Sequence, residues 1–159
     1  MTSPYGYDDV PTNGNGDGRV AELSPEARTF NWLLDAFTSA TAGVVGAVAV
    51  SSDGLLMAMS SIRDRANAER LAAVVSGMTS LAGGAATSYA LGMLNRVVID
   101  MTDGYLLITS ISQGSVLGVI ADRAANLATV AYEMTLFATK TAPALTPMLI
   151  VELKNSVQS

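Results

Sequence analysis

Apolar residues recur along the chain in two rhythms, one near 3.6 residues and one near two, and their alternation predicts the order of elements. Phe30, Leu33, Leu34 and Phe37 share one face of a first helix. Its start is marked by Ser24-Pro25-Glu26, with a capping hydroxyl, proline at the first helical position and an acid in the first turn. The helix is expected to reach about Thr38, with Trp32 pointing away from the apolar face. Gly43 then opens the β-branched run Val44 to Val50, Ser51-Ser-Asp53-Gly54 turns it, and Leu55-Leu-Met-Ala-Met59 returns as the second strand of a hairpin. Further on, Arg96-Val-Val-Ile-Asp100, Tyr105 to Ser112 and Ser115 to Ala121 are three strands joined by the short turns Thr102-Asp103-Gly104 and Gln113-Gly114. Turns this short require antiparallel neighbours.

Between hairpin and meander lies a second helix, expected to begin with Asp64 as N-cap and to continue through Leu81 or beyond. Leu71, Val74, Val75, Met78, Leu81, Ala85 and Tyr89 form one apolar stripe, the natural candidate for the sheet-facing side. Ala72, Ala73, Ser76, Gly77, Ser80, Gly83, Gly84 and Thr87 occupy the remaining arc, where an exposed helix would carry Lys and Glu. Glycine costs about 1 kcal/mol of helix propensity relative to alanine, so a small, uncharged face points to a second backbone coming close. Gly83-Gly84 leaves two readings of the helix end: a break there followed by a loop to Asn95, or continuation. A third helix from about Asn126 aligns Leu127, Val130, Ala131, Met134, Phe137 and Ala138 and stops at Pro143; Thr146-Pro147 caps a short closing helix.

The order is therefore α-ββ-α-βββ-α. Strands apolar on both faces, as in Val97-Val98-Ile99 and Leu106-Leu107-Ile108, require helices on both sides of the sheet. The expected divisions are a Gly/Pro-rich disordered tail over residues 1–23, one α/β (α+β) domain over 24–153 with a five-stranded antiparallel sheet, and a C-terminal tail over 154–159. The N-terminal segment contains Asn13-Gly-Asn15-Gly-Asp17-Gly18, which imitates half of an EF-hand loop but lacks the carboxylate at its first position and has Ser24 where a bidentate glutamate is needed.

Composition narrows the chemistry. The 159 residues include no His and no Cys, which removes Ser-His-Asp and Cys-His nucleophilic systems, His general bases and Cys/His metal sites. Nine Lys and Arg against fourteen Asp and Glu give a net charge of −5, the wrong sign for a phosphate-tracking surface, so nucleic acid is not expected as a partner. Asp53 and Asp103 sit in Asp-Gly turns, where their ordinary role is to shape the backbone, and no two carboxylates stand at an acid/base spacing. No cofactor or metal site and no enzyme activity is expected. The first residues have neither a basic segment nor an apolar one, which argues for a cytoplasmic location, peripheral to a membrane through partners. The 25 uncharged residues between Arg70 and Arg96 are long enough to span a bilayer, but Ser, Thr and Gly dilute their apolarity, so no membrane span is expected.

The layout, with Phe30-Asn-Trp-Leu-Leu-Asp35, Gly43 to Leu56, Asp64 to Met78 and Gly114-Ser-Val-Leu-Gly-Val-Ile120, resembles the roadblock/dynein light chain family, in particular its actinobacterial conservon type, encoded beside a sensor kinase and a small Ras-like GTPase. The resemblance covers about Pro25 to Leu153. It implies a roadblock (profilin-like) sheet with the second helix on one face and the first and third on the other. It also implies homodimers formed by pairing second helices and joining sheets at the third strand, and bacterial members that bind and regulate small GTPases.

On that basis the chain is expected to be a non-enzymatic homodimeric regulator or scaffold of a small Ras-like GTPase in a bacterial signalling system, with a sensor kinase or other conservon proteins as further partners. The dimer interface is assigned to Ala73, Ser76, Gly77, Ser80 and Gly84 on the second helix and to Val97 and Ile99 on the third strand. GTPase docking is assigned to Arg63, Arg65 and Arg70 with the uncharged strip Thr79, Gly83 and Thr87. The competing reading is a small-ligand sensor of PAS or GAF type, which needs a cavity between sheet and helix with a few convergent polar groups.

Overall fold

The computed structural model describes residues 22–158, so nearly all of the segment read as an N-terminal tail lies outside the described residues. The chain folds as α1 (Pro25–Ala40), β1 (Val44–Ser51), β2 (Leu56–Ser60), α2 (Arg65–Ser88), β3 (Arg96–Met101), β4 (Gly104–Ser112), β5 (Ser115–Asp122), α3 (Leu127–Thr141), a 3-10 turn (Ala142–Ala144) and α4 (Pro147–Gln158). The expected α-ββ-α-βββ-α order is present. All five strands are antiparallel in the order β2-β1-β5-β4-β3, so the hairpin joins the meander through β1 and β5, and β2 and β3 are the edges.

The helix starts follow from side chains that satisfy backbone N–H groups left over in the first turn. Ser24 Oγ accepts from Ala27 N at 3.2 Å, Asp64 Oδ1 from Asn67 N at 2.8 Å, Asn126 Oδ1 from Thr129 N at 3.1 Å and Thr146 Oγ1 from Leu149 N at 3.1 Å. One layer of core lies between the sheet and α1, α3 and α4; it is built from Phe30, Leu34, Phe37, Leu107, Leu117, Met134, Phe137 and Leu153. Phe137 sits edge-on to Phe30 and tilted against Phe37, with ring centroids 5.8 and 5.7 Å apart. The other layer lies under α2, among Val48, Val50, Leu56, Val75, Leu106 and Ile108.

The chain end departs from expectation. α4 runs through residues 154–158 instead of ending at Leu153, because its last turns have partners. Leu149 and Leu153 are buried in the α1/α3 core, whereas Val157 packs against the α2 core, so α4 passes along β2 from one face of the sheet to the other. Three polar contacts hold it: Ser24 N to Glu152 Oε1 at 2.9 Å, Lys154 Nζ to Asp53 Oδ2 at 3.1 Å, and Arg65 Nη1 to the Val157 carbonyl at 3.1 Å. A strand edge covered in this way is closed to pairing with another chain, and among the described residues β3 remains as the open edge.

Asp53 ties the hairpin turn to α4. The Ser51 hydroxyl first, and Lys154 second, hold its carboxyl below the usual carboxylate range. A carboxyl depressed in the folded state adds stability above its unfolded value, near 4, and that contribution disappears as the pH falls toward the folded value. Wild type is therefore expected to exceed Asp53→Asn in stability at pH 7, with the gap closing below about pH 4. Paired denaturant titrations at the two pH values check this, and a gap unchanged at low pH would show that the charge plays no part.

Candidate functional site

α2 is continuous from Arg65 to Ser88, straight through Gly83-Gly84, and this settles the two readings of its end. The stop comes later. The Leu91 N–H donates to the Ala86 carbonyl at 2.8 Å and the Ala90 N–H to Thr87 at 3.3 Å, with Ala90 at φ +53°. That is a Schellman turn, with alanine in the left-handed position that glycine usually takes. Gly92 follows at φ +84°.

The orientation of α2 is the main correction. Ala68, Ala72 and Val75 are its buried residues, and Leu71, Ser76, Thr79, Ala82, Gly83 and Ala86 are half-buried beside them. The small residues thus supply most of the sheet-facing side, and much of the apolar stripe turns outward: Val74 is 45% exposed, Met78 38%, Leu81 72% and Tyr89 77%. The reason is room. The sheet already presents Val48, Val50, Leu56, Leu106 and Ile108 to this helix, and at Gly118 the two surfaces nearly touch. A Cβ there would come within 2.5 Å of Val75 Cγ2 and 3.2 Å of Val48 Cγ2. Only a helix with a small inner face sits this low, and such direct contact at Gly118 does not favour the sheet-to-helix cavity that a PAS- or GAF-type sensor needs.

The two flanks of α2 differ. One meets the hairpin and the end of α4: a Cβ on Gly54 would lie 3.2 Å from Ser76 Oγ, and Arg65 bonds Val157 while pairing with Glu69 at 3.5 Å. The other flank carries Val74, Met78 and Leu81, and α2 reaches β3, where Val97 and Ile99 are half-buried on the same side of the sheet. Leu91 and Met93, 71% and 88% exposed, extend the apolar surface through the loop that leads to β3. Exposed apolar side chains beside a strand edge that is unpaired among the described residues make this side of α2 a candidate protein-interaction surface.

Measured against this geometry, the expected interface residues separate. Val97 and Ile99 lie beside the exposed flank. Ala73, Gly77, Ser80 and Gly84 are exposed on the ridge of α2 that faces straight away from the sheet, and a Cβ at Gly77 or Gly84 would meet nothing within 4 Å. Ser76 is set against the hairpin instead. Of the expected docking residues, Thr79 faces inward and donates to the Val75 carbonyl at 2.8 Å, Gly83 is half-buried, and Thr87 is exposed and bonds Gly83 O. Arg65 is committed to Val157 and Glu69, Arg70 bonds Asn67 Oδ1 at 3.2 Å, and Arg63 is exposed. Val74, Met78 and Leu81, expected against the sheet, are surface residues.

By length and composition α2 would suffice to cross a bilayer, with 24 residues and a mean hydropathy of 1.2 over its most apolar window. Folded as described, it spends one face on the sheet, so what remains to be covered is a flank and not a full circumference.

The Roadblock/LC7 domain model matches residues 30–121. The chain is similar to a Roadblock/LC7 domain from Streptomyces avermitilis, at 28% identity over 72% of this chain and 96% of that one, with a TM-score of 0.69. It is also similar to a second such domain from the same organism, at 32% identity over 74% and 99%, with a TM-score of 0.58. MglB from Myxococcus xanthus shares the fold, at 21% identity over 82% and 95% and a TM-score of 0.64. No curated protein matches the chain significantly.

Proposed function

The chain belongs to the Roadblock/LC7 family, and from that premise we propose that it is a non-enzymatic homodimer that regulates or scaffolds a small Ras-like GTPase in a bacterial signalling system. The observation that carries the reading is the apolar flank of α2 standing beside the open β3 edge. Two copies related by a two-fold axis perpendicular to the sheet would lay Val74, Met78 and Leu81 of each α2 against the other and extend the sheet through β3. Because α4 covers β2, growth stops at two copies by this route.

Such a dimer keeps the outer ridges of both α2 helices accessible. Ala73, Gly77, Ser80 and Gly84 on these ridges offer little side chain, so a partner backbone can approach closely. Arg63 and Arg70 flank the ridge at its N-terminal end and suit the acidic or phosphate-proximal switch surface of a GTPase, where a rim charge mainly speeds encounter. Arg65, held by Val157 and Glu69, serves the fold in this reading. A cytoplasmic location, and contact with a sensor kinase or other conservon proteins, belong to the same proposal.

The test is affinity capture of the full chain by the Ras-like protein encoded nearest to it, loaded with GDP or with a GTP analogue. Retention by one loaded form, with Arg63→Ala/Arg70→Ala associating several-fold more slowly, is expected. Absence of binding to either form would overturn the GTPase assignment while leaving the dimer untouched.

A further inference from the structure

We infer that β3 is self-complementary in charge, and that Arg96 and Asp100 set the register and the partner choice of the β3 edge: the strand takes a second copy of its own sequence, centred on Val98. The inference rests on the dimer reading above and adds to it which residue meets which.

β3 reads Arg96-Val97-Val98-Ile99-Asp100-Met101, with a cation and an anion placed symmetrically about Val98. Arg96, Val98 and Asp100 lie on the α3 side of the sheet. Arg96 Nη2 bonds the Ala131 carbonyl at 3.3 Å and Thr135 Oγ1 at 3.0 Å, and Asp100 pairs with Arg123, whose guanidinium lies 4.9 Å over the Tyr105 ring. Val97 and Ile99 lie on the α2 side. In a sheet continued across a two-fold axis, directly opposite residues share a face, so a one-residue slip is forbidden and registers differ by steps of two.

With Val98 opposite its counterpart, Arg96 faces Asp100 of the second copy at both ends, and Val97 faces Ile99 on the α2 side, prolonging that core. Shifting the centre to Ile99 sets Asp100 against Val98 and Arg96 against Thr102. Centring on Val97 sets Arg96 against Val98 and leaves Asp100 opposite Leu94. Centring on Arg96 or on Asp100 opposes like charges, which is unfavourable for directly facing strand residues.

Neither group is saturated within its own chain. Arg96 Nε has no hydrogen-bond partner among the described residues but is enclosed, so a bond to a second copy falls to the terminal nitrogens of the guanidinium; the Asp100 side chain is 68% exposed despite its pair with Arg123. A carboxylate has two oxygens and accepts from two guanidinium groups at once. A related chain whose edge strand lacks the opposed charges at these two positions would forfeit both pairs, so the strand discriminates between copies of itself and its relatives.

The absence of cysteine from the chain makes cross-linking a direct probe of register. In the Val98-centred register the two Val98→Cys residues sit directly opposite, about 4.5–5.5 Å apart between Cα atoms, within disulfide range. Two Ile99→Cys residues would lie on a diagonal of about 7–8 Å. Val98→Cys is expected to form the dimer cross-link under mild oxidation, and Ile99→Cys to form little.

Partner choice is tested by charge reversal. Arg96→Glu alone sets its new carboxylate against Asp100 of the second copy, and Asp100→Arg alone sets its new guanidinium against Arg96; each homodimer is expected to weaken by about tenfold or more. Mixing the two variants restores both opposite pairs, so the mixture is expected to form heterodimers in preference to either homodimer. Circular dichroism of each variant verifies that it is folded, and the cross-linking arm leaves Arg96 and Asp100 unaltered. A wild-type monomer would overturn the dimer reading itself. With the wild type a dimer, efficient cross-linking of Ile99→Cys in place of Val98→Cys, or charge variants that show no preference for each other, would overturn the register while the dimer stands.

Discussion

Leu81→Asp is expected to convert the protein from a dimer of about 33 kDa, twice the chain mass of 16.4 kDa, into a folded monomer. Leu81 is 72% exposed in the single chain, so the substitution removes little from the core and the monomer keeps its fold. In the proposed dimer each α2 presents Leu81 to the other copy, and the carboxylate is buried twice by symmetry with no cation beside it. Burying an unpaired charge costs several kcal/mol, and each 1.4 kcal/mol is tenfold in association, so affinity should fall by more than about a hundredfold. Light scattering at micromolar concentration reads the mass directly, and a variant that stays at the dimer mass would place the interface elsewhere. Glu69→Ala, on the flank beside the hairpin and α4, serves as the control that leaves the dimer intact.

Leu153→Ala is expected to cost about 2–5 kcal/mol of stability, the range for truncating a fully buried leucine, and to lower Tm by on the order of 10 °C. Leu153 has no exposed surface and belongs to the core with Phe30, Leu34 and Leu149, although it lies beyond residues 30–121, which match the family model. The result separates two views of α4. As an integral cover of β2 it cannot be loosened without loss; as an appendage it would tolerate alanine. Thermal melts at one protein concentration are the measurement, because dimerisation itself raises apparent stability by mass action. A change in Tm of a degree or two would make α4 dispensable.

Local signals carried the elements. The caps Ser24, Asp64 and Asn126, the hairpin turn at Asp53-Gly54 and the alternation of strands are each encoded within a few residues, so they were legible without tertiary information. Antiparallel pairing within the meander followed from turn length alone. Helix α2 is where the reading failed, and a usable signal was present at its start. Glu69 and Arg70 straddle one side of the first turns, and the residues opposite them are Ala68, Ala72 and Val75, which are those that face the sheet. The larger apolar residues outweighed that signal because the burial of big side chains is the ordinary rule for a helix.

What the sequence by itself determined is the order of elements, the helix starts, the antiparallel hairpin and meander, and the charge pattern of β3. What only the tertiary structure decided is which side of α2 is inside, how far α4 extends and which sheet edge stays open. These depend on contacts between residues far apart in the chain. The closeness of Gly118 to Val75 admits only a small inner face on α2. Glu152, Lys154 and Val157 find their partners at Ser24, Asp53 and Arg65, which holds the last helix along β2. Periodicity reports that a helix has two unlike faces; the space left by the other elements selects which one is buried.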